Sequence, residues 1–223
     1  VYRMVAQHEA QHVETILQTL QIKRGGPYVP ARRTPVPVPR KAMFVPGSMV
    51  RVPACVVSIG TNDRTAAYDN ERPRHDVALA PFHIDVAPVT NGEFLGFMEA
   101  GGYAREECWS DGGRAWLAEA RAGGVCAPKY WFLEGDQWWT RSMDRHSPVD
   151  PTHPVIHVCY YEAEAYARWA GKRLPTELEW EAAATWDPAS GRARAYPWGD
   201  QPPSDSLANV DQLTFGTAPV GAY

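Results

Sequence analysis

From Val1 to Ile22 the chain runs without glycine or proline, and Met4, Val5, Ile16, Leu17 and Leu20 fall at helical spacing. That pattern predicts an α-helix with one apolar face, closed by the stop signal Gly25-Gly26-Pro27. Prolines at 27, 30, 35, 37, 39, 46 and 53 then break any regular period. Their centre, Val36-Pro37-Val38-Pro39, predicts an extended, semi-rigid connector. Arg32, Arg33, Arg40, Lys41 and Arg51 make the connector basic, which reads as a solvated linker.

Beyond Pro53 the pattern changes to short elements. Val56-Val57-Ser58-Ile59-Gly60 predicts a strand, and Asp76 to Val86 a second one interrupted at Pro81. Thr90 and Glu93 form a capping box that opens a helix through Met98, stopped by Gly101-Gly102. Another helix covers Tyr161 to Ala170 and ends at Gly171. Thr176 and Glu179 form a second capping box, predicting a helix to about Thr185. Between Gly102 and Pro154 no period emerges, and the stretch reads as long Trp-rich loops. The fold class is therefore α+β: a domain of short helices and strands over residues 54–223, after a helix (1–25) and a linker (26–53).

Composition narrows the setting. The 223 residues are 44% hydrophobic with a net charge of −4, which suits a globular chain and argues against a nucleic-acid partner. No apolar run approaches the roughly 18 residues of a membrane span, so no membrane segment is expected. Cys55, Cys108, Cys126 and Cys159 lack Cys-x-x-Cys spacing. They read as reduced thiols of a cytoplasmic protein rather than a zinc site or disulfide framework. Nine Trp and twenty Pro predict a core of large aromatics and stiff loops. Trp169, Trp180 and Trp198 read as packed, Arg173 with Glu177 or Glu181 as a buried ion pair, and His75, His83 and His157 as hydrogen-bonded structural residues in strand-like runs.

The chemistry concentrates on the first helix, in His8-Glu9-Ala10-Gln11-His12-Val13-Glu14. Positions i and i+4 share a helix face with Cβ atoms roughly 6 Å apart, so two imidazoles placed there can bind one metal ion. The stretch also matches His-Glu-x-x-His, in which two His hold zinc and the Glu is a general base. That reading needs a third ligand. The extended form of the motif wants Gly at 15 and His at 18, where this chain has Thr15 and Gln18. The other common form supplies a downstream acid, yet no Asp or Glu occurs from Thr15 to Asn62. A third ligand upstream remains open, and the chain begins at Val1.

A succession of motifs carries a resemblance. Glu71-Arg72-Pro73-Arg74-His75, Pro81-Phe82-His83-Ile84, Pro88-Val89-Thr90-Asn91-Gly92-Glu93-Phe94 and Pro154-Val155-Ile156-His157-Val158 come in order. Ala167-Arg168-Trp169-Ala170-Gly171-Lys172-Arg173-Leu174-Pro175-Thr176-Glu177, Glu179-Trp180-Glu181 and Tyr196-Pro197-Trp198-Gly199-Asp200 follow. Together they resemble the sulfatase-modifying-factor (formylglycine-generating enzyme) domain, a variant of the C-type-lectin fold. The His-x-x-x-His-x-Glu helix is similar to the last helix of a DinB-like four-helix bundle. The combination resembles the ergothioneine-biosynthesis sulfoxide synthases. Ala67-Tyr68-Asp69-Asn70-Glu71-Arg72-Pro73, Gly101-Gly102-Tyr103 and the terminal Pro219-Val220-Gly221-Ala222-Tyr223 fit the same subfamily.

That resemblance implies a non-haem Fe(II) enzyme that uses O2 to join hercynine to the sulfur of γ-glutamylcysteine or cysteine. His8 and His12 would be two of three His ligands, with the third upstream on another bundle helix. Gln11 would line the pocket of the substrate imidazole, and Glu14 would orient a ligand His. The family's catalytic tyrosine and hercynine-carboxylate contacts are expected beyond Tyr223, so the catalytic residues are unknown within this chain. The arginines that grip γ-glutamylcysteine are expected before Val1. Two other classes stay open: a formylglycine-generating oxidase of protein cysteines, with a copper-binding cysteine pair, and a non-catalytic lectin-like binding domain.

Overall fold

The computed structural model describes residues 2–23, 45–65, 67–210 and 216–223. The centre of the proline-rich connector, 24–44, lies outside the described residues. Two compact units emerge, one from Val1–Val29, Met49–Ile84 and Pro175–Pro203, the other from Pro30–Ser48, Asp85–Leu174 and Ser204–Tyr223.

In the first unit, helix α1 runs Tyr2–Ile22, as the apolar spacing predicts. Strand β1 (Met49–Val52) lies inside the stretch read as a connector, with Met49, Val50 and Val52 between Ser48 and Pro53. The flanking prolines hid this short apolar run. β2 (Cys55–Ile59) pairs antiparallel with β3 (His75–Leu79) in the register Cys55↔Leu79 to Ile59↔His75. β4 (Phe82–Asp85) follows Pro81 and pairs with β1.

Alternation along β2 decides its faces: Val57 is 1% exposed and Val56 is 59% exposed. Val57 and Ile59 form a small core with Ala182 of the last helix, which is flanked by Leu178 and Trp186. Burial of two such side chains contributes about 1.5–3 kcal/mol each.

Gly60 ends β2 with φ +74°, and its N–H donates to the Glu181 carboxylate at 2.9 Å. Arg173 and Glu177 are both exposed, so the burial expected of an ion pair there is not found. Trp180 is 62% exposed and does not pack as expected. It lies on the outer side of its helix, between the inward residues Leu178 and Ala182.

The second unit is built on aromatic packing. Helix α2 (Asn91–Glu99) starts at the Thr90 capping box: Thr90 Oγ1 accepts from the Glu93 N–H at 3.2 Å, and Glu93 Oε2 accepts from the Thr90 N–H at 2.8 Å. Its Phe94 and Phe97 are 1% and 0% exposed. They meet Trp109, Leu117, Ala165 and Tyr166 in one core.

The stretch from Gly102 to Pro154 is not irregular. It contains α3 (Asp111–Ala122) and the antiparallel meander β5 (Trp131–Glu134), β6 (Gln137–Ser142) and β7 (Arg145–Pro148). Two glycines in the first turn of α3 mask its helical signal. Ser110 caps it by accepting from the Gly113 N–H at 3.2 Å. In the meander, Phe132 faces Trp139 and Leu133 faces Trp138, so apolar residues stand on both faces and no alternation is visible. The Gly135-Asp136 turn, with φ +60° at Gly135, was the hairpin signal available.

Helix α4 (Tyr160–Trp169) starts at Cys159, whose N–H donates to Glu162 at 2.7 Å. The start expected at about Tyr161 lies one residue inside the observed one. Helix α5 (Glu177–Thr185), in the first unit, has the predicted Thr176 and Glu179 box. Short strands β8 (Trp186–Asp187) and β9 (Arg192–Ala193) follow it. His157 lies in a bend rather than a strand, with φ +64°. His75 is in β3 and its ring contacts the Pro73 carbonyl at 3.0 Å, in keeping with a structural role. All four cysteines are free thiols.

Candidate metal centre

Helix α1 builds the candidate site from local sequence alone. Thr15 Oγ1 donates back to the Gln11 carbonyl at 3.0 Å and Thr19 Oγ1 to the Thr15 carbonyl at 2.8 Å, so neither hydroxyl competes for the His face. His8 and His12 are both exposed, with ring centroids 4.4 Å apart and planes at 60°.

Gln11 is three residues past His8 and shares its face. Glu14 is two residues past His12, about 200° around the helix axis. α1 therefore brings His8, Gln11 and His12 together and leaves Glu14 outside that group. The carboxylate beside the pair is Glu9, whose Oε2 lies 3.9 Å from His12 Nδ1. Helix geometry could have shown this: Glu9 and His12 are i, i+3.

The donor set suits a metal ion in part. Two imidazoles one turn apart are a chelating pair for a borderline divalent ion, and a neutral imidazole is a ligand for iron as well as zinc. Among the described residues no group of three His, Cys, Asp or Glu converges as a metal cage.

The surroundings of the pair are apolar and bare. Met4, Val5, Val13 and Ile16 are exposed, and Val5 and Ile16 flank the His face within about 80° on the helical wheel. Gln21, near the helix end, is buried.

The profile of the sulfatase-modifying factor enzyme 1-like domain matches residues 34–223. The chain belongs to that family. Along its whole length it is also similar to two proteins named hercynine oxygenase. That of Mycolicibacterium thermoresistibile is 46% identical over 223 residues, covering 100% of this chain and 48% of the relative. That of Mycobacterium tuberculosis is 44% identical over 224 residues, covering 100% of this chain and 51% of the relative. The chain spans about half the length of these curated relatives. The formylglycine-generating enzyme of Thermomonospora curvata is 35% identical over 209 residues, 83% of this chain and 68% of that protein. The family profile begins at residue 34, after α1, whereas the alignments with the hercynine oxygenases include α1 and its His pair. Among the described residues no helix is long and apolar enough to cross a membrane.

Proposed function

We propose that this protein is an Fe(II)- and O2-dependent sulfoxide synthase that forms a C–S bond between hercynine and γ-glutamylcysteine or cysteine, in ergothioneine biosynthesis in the cytoplasm. One observation carries the reading: a bare helix outside the family domain, bearing His8, Gln11 and His12 on one face, falls within the region aligned to hercynine oxygenases. Formylglycine-generating relatives share the domain. A formylglycine-generating reaction leaves this helix without a task.

In this reading residues 1–25 are the last helix of a DinB-like four-helix bundle, 26–53 the connector, and 54–223 the sulfatase-modifying-factor domain. The exposed apolar residues beside the His pair then pack against neighbouring helices. His8 and His12 hold the ion through neutral imidazole nitrogens, and a third His comes from another bundle helix. Bound iron supplies O2 activation and a binding position for the sulfur donor.

The chain's own residues do the positioning. The Gln11 carboxamide offers both a donor and an acceptor, which complements the two nitrogens of the hercynine imidazole and fixes which ring carbon faces the sulfur. Glu9, with its Oε2 3.9 Å from His12 Nδ1, stands beside the ring without a hydrogen bond and would accept from it only after a side-chain shift. Glu14, turned away from this pair, can orient only a ligand contributed by another helix.

The test is metal content. The full-length gene product, reconstituted anaerobically, should hold one Fe(II) per chain, and His8→Ala and His12→Ala should each lose it while circular dichroism stays unchanged. Full iron occupancy in both variants would refute the ligand assignment.

A further inference from the structure

In the second unit an unbroken run of oxidisable rings leads from the surface into the core. Tyr160 and Tyr161, at the start of α4, have ring centroids 5.5 Å apart. Tyr161 lies 6.2 Å from Trp116 of α3, Trp116 stacks on Trp109 at 5.7 Å, and Trp109 lies 5.8 Å from Tyr103. At such separations neighbouring rings are in contact. Tyr160 is exposed, Tyr161 and Trp116 are half-buried, and Trp109 and Tyr103 are buried.

The buried end carries a proton acceptor. The Tyr103 hydroxyl donates to Glu162, itself buried, whose other oxygen accepts from the Cys159 N–H at 2.7 Å. Both donors are neutral, and a carboxylate held away from water without a countercharge is costly. Burial, and then the Glu162 charge, push the Tyr103 phenol well above its usual range, so its proton does not leave alone. The Trp109 N–H donates instead to the Gly102 carbonyl at 2.9 Å, a group too weakly basic to take a proton. The other ring against Tyr103 is Phe97, at 6.0 Å, and a phenyl ring is far harder to oxidise than a phenol.

We infer that Tyr160, Tyr161, Trp116 and Trp109 form a relay through which Tyr103 gives one electron to an oxidant at the surface, so that Tyr103 stores a tyrosyl radical. The oxidant is a one-electron acceptor of the oxygen-centred-radical class and is reduced by that electron. In the core the Tyr103 O–H bond breaks, the proton passes to the Glu162 carboxylate, and a neutral phenoxyl remains. That transfer removes the buried charge, which makes Tyr103 the end point of the relay. The Trp109 indole keeps its proton and passes the oxidation on. The relay does not depend on the reaction proposed above.

The test oxidises the full-length gene product with photogenerated tris(bipyridine)ruthenium(III) and follows electron paramagnetic resonance. The wild type should keep a tyrosyl signal, narrowed by ring-deuterated tyrosine, after exposed phenoxyls have decayed by coupling between molecules. Tyr103→Phe and Trp116→Phe should each lose that persistent signal while still melting cooperatively. Glu162→Gln, which can accept the hydrogen bond but not the proton, should lose it too. In the wild type in D2O, double resonance should show one exchangeable deuteron coupled to the radical, the one passed to Glu162. No persistent signal in the wild type, no such deuteron, or an undiminished signal in any of the three variants overturns the proposal, and the wild-type readouts decide it if a variant fails to fold.

Discussion

The rings of His8 and His12 lie 4.4 Å apart, one turn from each other on α1, and both are open to solvent. In the proposed bundle the pair faces the ion rather than a packed neighbour, so its substitution separates metal binding from folding.

Glu9→Gln distinguishes two chemistries of the same helix. A zinc hydrolase needs Glu9 as its base and would lose nearly all activity. Here the substitution keeps an acceptor beside His12, and activity should fall by no more than about ten-fold, with iron retained. Steady-state rates and metal analysis on one preparation check this.

Gln11→Ala should keep iron and weaken hercynine. Losing a buried pocket hydrogen bond costs about 1–3 kcal/mol, read as a higher KM for hercynine with the KM of the sulfur donor unchanged. An equal rise in both constants would place Gln11 elsewhere.

Gly60→Ala probes the end of β2. A Cβ there would lie 2.6 Å from the Glu71 carbonyl oxygen, at a φ of +74°. Backbone must move, so the cost should be about 1–3 kcal/mol, measured as a lower urea midpoint at unchanged m-value.

Tyr166 predicts an alkaline limit. Burial pushes its phenol up to about 12, and the charges of Glu93 and Asp85 add to the shift. An unfolded tyrosine ionises near pH ~10. The neutral phenol therefore stabilises the fold fully below about pH 10, and that stability is lost as pH rises towards 12. Between pH ~9 and ~12, wild-type stability should drop more than that of Tyr166→Phe, by on the order of 2 kcal/mol. Parallel curves for the two proteins would contradict it.

Elements announced by local chemistry were legible in the sequence. The Thr90 and Thr176 boxes set the starts of α2 and α5, and Gly101 and Gly171 lie just past the ends of α2 and α4. What escaped reading was masked by ordinary physical causes. The cap of α3 falls at Ser110 before a Gly pair, and paired aromatics such as Trp138 and Trp139 erase the period of two in β6. The His pair was legible because i, i+4 spacing is local.

The central claim is that α1 holds the iron of a C–S bond-forming enzyme. It is tested most directly by incubating the iron-loaded, full-length gene product with hercynine, O2 and either γ-glutamylcysteine or cysteine, and following the sulfoxide by mass spectrometry. The account predicts O2-dependent sulfoxide with one of the two donors, and none from His8→Ala or His12→Ala proteins that melt at the wild-type temperature. Absence of product from the wild type with both donors, or undiminished product from either His variant, would contradict it.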